Sequence, residues 1–180
     1  MKYAIGPRRE IGIRSIFNIL GPMTNPAGAN VQLTGVFAKE LTETLAEVLV
    51  RLGMKRTLVV WGEGNLDELT ITGTSHIADG SEGKVQCYTV EPEDVGLTRA
   101  SLGDIRGGAT VTEAAEQVRA VLRGEAGARL DMVLLNSGAA LQAAGRARDL
   151  QEGVEGAREV IRSGAAYNKL EQLVDFAGRI

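Results

Sequence analysis

The chain has 180 residues, 44% of them apolar and 24% charged, with a formal net charge of −3. A chain of this size and balance buries about 70% of the surface its unfolded form exposes, so it holds a core without disulfides or a structural metal, and disorder is excluded as its main state. Aromatic residues make up only 4% while Gly numbers 23, so the core comes from closely packed Ala, Val, Leu and Ile with many tight turns, which favours a helix-rich α/β fold over a β-sandwich.

Taken in chain order, the first thirty residues read as a loop-rich segment carrying three of the four prolines, at Gly6-Pro7, Gly21-Pro22 and Asn25-Pro26. The residue before each proline is pushed out of the α region, so no long helix runs through these points, although the apolar residues 11–20 can be helical between them. Residues 31–37 read as a strand. Residues 39–52 read as a helix with Leu41, Leu45, Val48, Leu49 and Leu52 on one face and Gly53 as its stop. The run TLVVW, residues 57–61, is a second, buried strand. Strand, helix and strand in this order are the βαβ pattern and predict parallel pairing. Residues 69–72, 76–78 and 84–90 are short strand candidates, with the turn DGSEG at 79–83 joining the last two as a hairpin. Phe37 and Trp61 are expected in the core.

From Thr110 the pattern becomes helical. Thr110 and Glu113 form a capping box before Val111, Ala114, Ala115, Val118, Val121 and Leu122, and Gly124 ends that helix. Residues 130–144, rich in Leu and Ala, predict a mostly buried helix ending at Gly145. Asp149 caps a third helix with Val154, Ala157, Val160 and Ile161, and Gly164 separates it from a fourth over 167–177. No internal repeat or low-complexity linker marks a second domain.

Cys87 is the only cysteine and His76 the only histidine. No internal disulfide and no thiolate zinc cluster can form from one thiol, which points to a reducing compartment, the cytoplasm. Two-histidine metal sites are excluded, and His76 in its short strand reads as structural. Gly or a charge interrupts every apolar run before 18 residues, so no membrane-spanning helix is expected, and the basic opening MKYAIGPRRE is not followed by an apolar run of signal-peptide length. The acidic total charge argues against nonspecific nucleic-acid binding.

Two segments carry candidate chemistry. Residues 7–26 hold Arg8, Arg9 and Arg14 ahead of a Gly-Pro turn. Arginine is the residue that grips a carboxylate or phosphate through two parallel hydrogen bonds, but composition alone reads this stretch as a solvated basic face. The other segment is Asn65-Leu66-Asp67-Glu68, directly after the TLVVW strand. Ligands of open α/β sheets gather beyond the carboxyl ends of the strands, and two adjacent carboxylates there suit a hard cation such as Mg²⁺. A solvated acidic turn is the competing reading. Gly107-Gly108 before the Thr110 cap reads as a turn rather than an anion site.

The segment KYAIGPRREIGIRSIFNILGPMTNP resembles the signature of the anthranilate phosphoribosyltransferases of tryptophan biosynthesis, whose members read RRELGIRTIFNLLGPLTNP. The likeness continues through the LDE turn, PEDVGL at 92–97, RGG at 106–108, LDMVLLNSGAAL at 130–141 and EGVEGAREVIRSGAA at 152–166. It departs mildly at Ser15, where Thr is usual, and at Met23, where Leu is usual. The resemblance implies an α/β phosphoribosyltransferase domain of the nucleoside phosphorylase type, with a central, mostly parallel sheet flanked by helices. It also implies that residues 1–180 are the C-terminal part of that domain, incomplete at its N-terminus. The family's helical first domain, its GTGGD-type loop for the donor pyrophosphate and a following Lys-His-Gly-Asn-like segment do not occur in these residues, so the chain by itself is expected to be inactive. Met1 lies near the family's His-Pro-Ala-Met, as in a gene fragment, a mis-called start or half of a split protein.

By resemblance, Arg8 contacts the anthranilate carboxylate, Gly21 and Pro22 line the anthranilate tunnel, and Asp67 and Glu68 hold Mg²⁺ against the pyrophosphate. The substrates implied are anthranilate and phosphoribosyl pyrophosphate, with no nucleic acid and no membrane. The family forms homodimers through the helical domain. Pyrimidine nucleoside phosphorylases share the architecture and rank second, since they lack the RREIGIRSIFNILGP run. A non-enzymatic relative that binds nucleic acid is the remaining alternative.

Overall fold

A computed structural model describes residues 23–179 together with Gly6, Glu10 and Gly21. In chain order its elements are β1 (Val31–Gly35), α1 (Leu41–Arg51), β2 (Arg56–Gly62), β3 (Ser75–Ser81), β4 (Lys84–Val90), a 3-10 turn (Pro92–Val95), α2 (Val111–Leu122), α3 (Ala128–Ala143), α4 (Leu150–Arg162) and α5 (Ala165–Ala177). The helical reading of residues 11–20 lies outside the described residues. Backbone at Gly6, Glu10, Gly21 and Met23 is helical, which departs from the loop-rich reading of the first thirty residues.

The four strands form one sheet in the order β1-β2-β3-β4. β1 pairs with β2 in parallel, as the strand–helix–strand pattern predicts, from Val31 opposite Arg56 to Gly35 opposite Val60. β2–β3 and β3–β4 are both antiparallel. The sheet is therefore mixed where a mostly parallel one was expected, while the α/β class holds. The antiparallel part arises because β3 and β4 are joined by two residues, Glu82 and Gly83, at φ 51° and 79°. That is the left-handed pair a tight hairpin requires, and it leaves no room for a crossover helix.

Alternation along β2 splits the core between the two faces of the sheet. Leu58 and Val60 join Ile77, Leu134, Leu135, Ala139 and Val154 beneath α3 and α4. Val59 and Ala78 join Val36, Leu45, Ala46 and Leu49 beneath α1. Because β2 is covered on both faces, all its central residues are apolar, as a run and not as an alternating pattern. Trp61 and Phe37, expected in the core, are half-buried, Trp61 packing at the margin of the α1 cluster.

The helix signals hold. Thr110 accepts from the Glu113 N–H while the Glu113 carboxylate accepts from the Thr110 N–H. Asp149 accepts from the Glu152 N–H at 2.8 Å. α3 and α4 cross at a pair of glycines, where a Cβ on Gly153 would stand 2.3 Å from the Gly138 carbonyl oxygen. Arg56 ties the sheet to the end of α3. Its guanidinium meets both oxygens of Asp79, at 2.8 and 3.3 Å, and donates to the Gln142 carbonyl at 2.9 Å.

Candidate functional site

Parallel pairing puts the carboxyl ends of β1 and β2, at Gly35 and Gly62, on the same edge of the sheet. The chain leaving β2 first turns on itself. Gly62 and Leu66 exchange two backbone hydrogen bonds, 2.9 and 3.0 Å, around a turn in which Gly64 and Asn65 both take positive φ. Asparagine tolerates that left-handed conformation better than most side chains. Asp67 and Glu68 follow at once, both exposed. Their main chain lies against the two strand ends. A Cβ on Gly35 would fall 1.5 Å from the Asp67 carbonyl oxygen, and one on Gly62 2.6 Å from that of Glu68. Only glycine at these two positions allows the turn to sit where it does.

Beyond the carboxylates, residues 69–72 were expected as a strand and are not one. Leu69, Thr70 and Ile71 are fully buried, yet they join no ladder; side chains satisfy the backbone of Leu69 and Thr70, while the Ile71 carbonyl accepts from the Ala100 N–H at 3.0 Å. Leu69 donates to Asn136 Oδ1 at 2.9 Å and accepts from Asn136 Nδ2 at 2.8 Å. Thr70 donates to Ser75 Oγ at 2.9 Å and accepts from it at 3.3 Å. The acidic turn is thus held on one side by the Gly62–Leu66 bridge and on the other by two side-chain clamps.

The third carboxylate of this stretch, Glu63, is used elsewhere: it accepts from the Thr74 N–H at 2.9 Å and packs over Gly73. Asp67 and Glu68 remain as the pair open to a ligand. Although Glu68 is exposed as a residue, the protein around its carboxyl partly desolvates it, and this, followed by the adjacent Asp67 charge, pushes the carboxyl above its ordinary value. Two neighbouring oxygen-donor carboxylates are a fitting donor set for Mg²⁺, which takes one or two carboxylates and fills its shell with water and phosphate oxygens. Among the described residues no group of three or more His, Cys, Asp and Glu gathers as a metal site, so the pair by itself would supply only part of a cation's shell.

Of the other site residues read from the sequence, Arg8 and Pro22 lie outside the described residues. Gly21 is described and exposed, and its carbonyl accepts from Thr24 N–H at 3.3 Å. His76, read from the sequence as structural, places its Nδ1 3.0 Å from Thr42 Oγ1. Gly108 serves packing, since a Cβ there would meet the Ala114 nitrogen at 2.5 Å. Sequence reasoning missed Gly35, Gly62, Ser75 and Asn136. Asn136 alone carried a signal, as a polar residue amid the apolar run of α3, because a buried polar group must find a partner.

Among known proteins, the anthranilate phosphoribosyltransferase of Desulfotalea psychrophila is 69% identical over 176 residues, covering 98% of this chain and 51% of the relative. The crystal structure of the Thermus thermophilus anthranilate phosphoribosyltransferase superposes with a TM-score of 0.90 at 45% identity, over 98% of this chain and 52% of that one. The Saccharomyces cerevisiae enzyme in complex with phosphoribosyl pyrophosphate and Mg superposes at 0.87 with 25% identity, over all of this chain and 52% of that one. The chain thus spans about half the length of the relatives it matches. Residues 1–167 match the glycosyl transferase family a/b domain, and the chain belongs to that family.

Proposed function

We propose that these residues form the acceptor-side and cation-side half of an anthranilate phosphoribosyltransferase, which moves the 5-phosphoribosyl group from phosphoribosyl pyrophosphate to the amine of anthranilate and releases pyrophosphate. The observation that carries this reading is the Asp67-Glu68 turn, held at the common carboxyl edge of two parallel strands by backbone contacts that only glycine permits. The identity to enzymes of that activity, and the solved relative bearing phosphoribosyl pyrophosphate and Mg, support it.

In this reaction the bond from the anomeric carbon to the pyrophosphate oxygen breaks, a bond from the anthranilate nitrogen forms, and the amine gives up a proton. The nucleophile is a neutral aryl amine and the sugar can carry positive character, so positioning and charge stabilisation supply the catalysis. Arg8 grips the anthranilate carboxylate, Gly21 and Pro22 shape the acceptor's approach, and Asp67 and Glu68 hold Mg²⁺. When bound, the cation offsets the charge on the departing pyrophosphate. By the same resemblance, the donor's glycine loop is expected in the half of the relatives that these residues do not match. The reading places the enzyme in the cytoplasm; among the described residues no helix is long and apolar enough to cross a membrane.

Two carboxylates leave most of an octahedral shell open, so Mg²⁺ binds tightly only when a pyrophosphate-bearing ligand completes it. Isothermal titration with Mg²⁺ tests this on a version carrying the upstream half that the relatives have, with and without phosphoribosyl pyrophosphate. Tight binding is expected only with the donor, and it is expected to be lost in Asp67→Asn. Equally tight binding in both arms would refute the reading of the pair.

A further inference from the structure

We propose that Asn136 is a positioning residue for the Asp67-Glu68 turn. Its carboxamide acts as a single strand rung that fixes where the main chain of the two carboxylates lies. The inference rests on the reading of that pair as the cation-holding pair.

Asn136 stands on α3, 67 residues along the chain from Leu69. Its Oδ1 accepts the Leu69 N–H at 2.9 Å, and its Nδ2 donates to the Leu69 carbonyl at 2.8 Å and to the Met132 carbonyl at 3.1 Å. Both Nδ2 protons are spent and the oxygen faces a donor. The amide therefore has one orientation, since its flip would set N–H against N–H and oxygen against two carbonyls. Leu69 is fully buried and sits in no strand, so without Asn136 its two backbone groups would be left unpaired away from water.

Leu69 directly follows Glu68, and on the other side the Gly62–Leu66 bridge holds the chain at 2.9 and 3.0 Å. Asp67 and Glu68 are the only two residues between these anchors. Moving Leu69 moves them, and both lie against strand-end glycines with no space to spare. The length of the asparagine side chain, one methylene from the helix, sets the distance between α3 and the turn. The same helix is packed on Leu58 and Val60 of β2 through the main core cluster, so the rung references the carboxylates to the sheet itself.

The test compares Asn136→Leu and Asn136→Ser in the version that carries the upstream half that the relatives have. Leucine keeps the volume and removes every hydrogen bond; serine leaves space for a water to serve Leu69 and is the variant expected to keep the fold. Affinity is read with the Mn²⁺–pyrophosphate complex by electron paramagnetic resonance, and amide exchange at Leu69 and Thr70 is followed by NMR. Both variants should weaken the complex about tenfold and speed exchange at Leu69. Leu49→Ala, which opens a cavity beneath α1 on the other face of the sheet, should lower Tm without changing that affinity.

Unchanged affinity in both Asn136 variants, with loss in Asp67→Asn, would overturn the proposal alone. Equal weakening in Leu49→Ala would overturn it too, by showing that any loss of stability has the same effect. Binding that survives Asp67→Asn and Glu68→Gln would overturn the cation reading of the pair, and this proposal with it.

Discussion

At the scale of single residues, the site depends on atoms that are missing as much as on those present. Asp67 and Glu68 supply charge, but Gly35 and Gly62 supply the space their carbonyls occupy, and a methyl at Gly35 would overlap the Asp67 main chain at 1.5 Å. The carboxylates were legible in the sequence because a DE pair after a buried strand is a pattern. The glycines were not: the Asp67 carbonyl that Gly35 makes room for lies about thirty residues further along the chain, and although the Glu68 carbonyl lies only about six residues beyond Gly62, no local pattern shows that the turn folds back onto it. His76 gives a residue-scale prediction. Thr42 spends its hydroxyl proton on the Lys39 carbonyl at 2.8 Å, so His76 Nδ1 donates to Thr42 Oγ1. Burial first, then the Lys39 charge, lowers the His76 pKa below its ordinary 6.5, with Glu43 opposing. The unfolded chain therefore takes up the proton first. The stability that neutral His76 contributes is whole above about pH 6.5 and is lost as pH falls below it towards the folded value. Thermal melts from pH 7.5 to 5.5 should show unsubstituted protein losing more stability than His76→Gln. Equal slopes would show that this imidazole stays unlinked to folding.

At the scale of elements, the crossing of α3 and α4 predicts opposite outcomes for two glycines of one helix. A Cβ at Gly153 would meet the Gly138 carbonyl oxygen at 2.3 Å, whereas one at Gly156 would meet only the Leu141 Cδ1 at 3.5 Å. Gly153→Ala forces two backbones apart and should cost about 1–3 kcal/mol. Gly156→Ala removes a flexible residue from a helix interior and should stabilise by up to about 1 kcal/mol. At about 2–4 °C per kcal/mol for a chain of this size, calorimetry separates the two by sign; a fall in Tm for both would mean the helices have no slack at Gly156 either. The helices themselves were legible because their signals are local: the Thr110–Glu113 box and the Asp149 cap lie within three residues of their partners. Residues 69–72 misled for the converse reason. Their apolar character reads as a strand, but the groups that satisfy Leu69 and Thr70 come from Asn136 and Ser75, and no local pattern announces a side chain standing in for a strand.

At the scale of the molecule, the two edges of the sheet differ. β4 carries Lys84 and an exposed alternation, features that discourage pairing with another chain, and it ends the sheet beside antiparallel β3. β1, with the sequence VQLTG, has neither charge nor proline, and among the described residues only β2 pairs with it. It is also the member of the one parallel pair that lies outermost, although parallel strands normally sit inside a sheet. An uncharged open edge of this kind recruits another strand. The hairpin expected at the DGSEG turn matters here, because it finishes one side of the sheet and, among the described residues, leaves β1 as the side open to growth. The 180 residues expressed by themselves should therefore associate through β1 and show no phosphoribosyl transfer to anthranilate. Val31→Lys, placing a charge at the start of that edge, should reduce association without restoring transfer. Adding the upstream half of a relative in trans should lower association and bring activity together. Light scattering beside the loss of anthranilate fluorescence, on the chain alone, the variant and the mixture, decides it: a monodisperse chain active without the added half would refute both expectations, and Val31→Lys associating as before would move the contact away from β1.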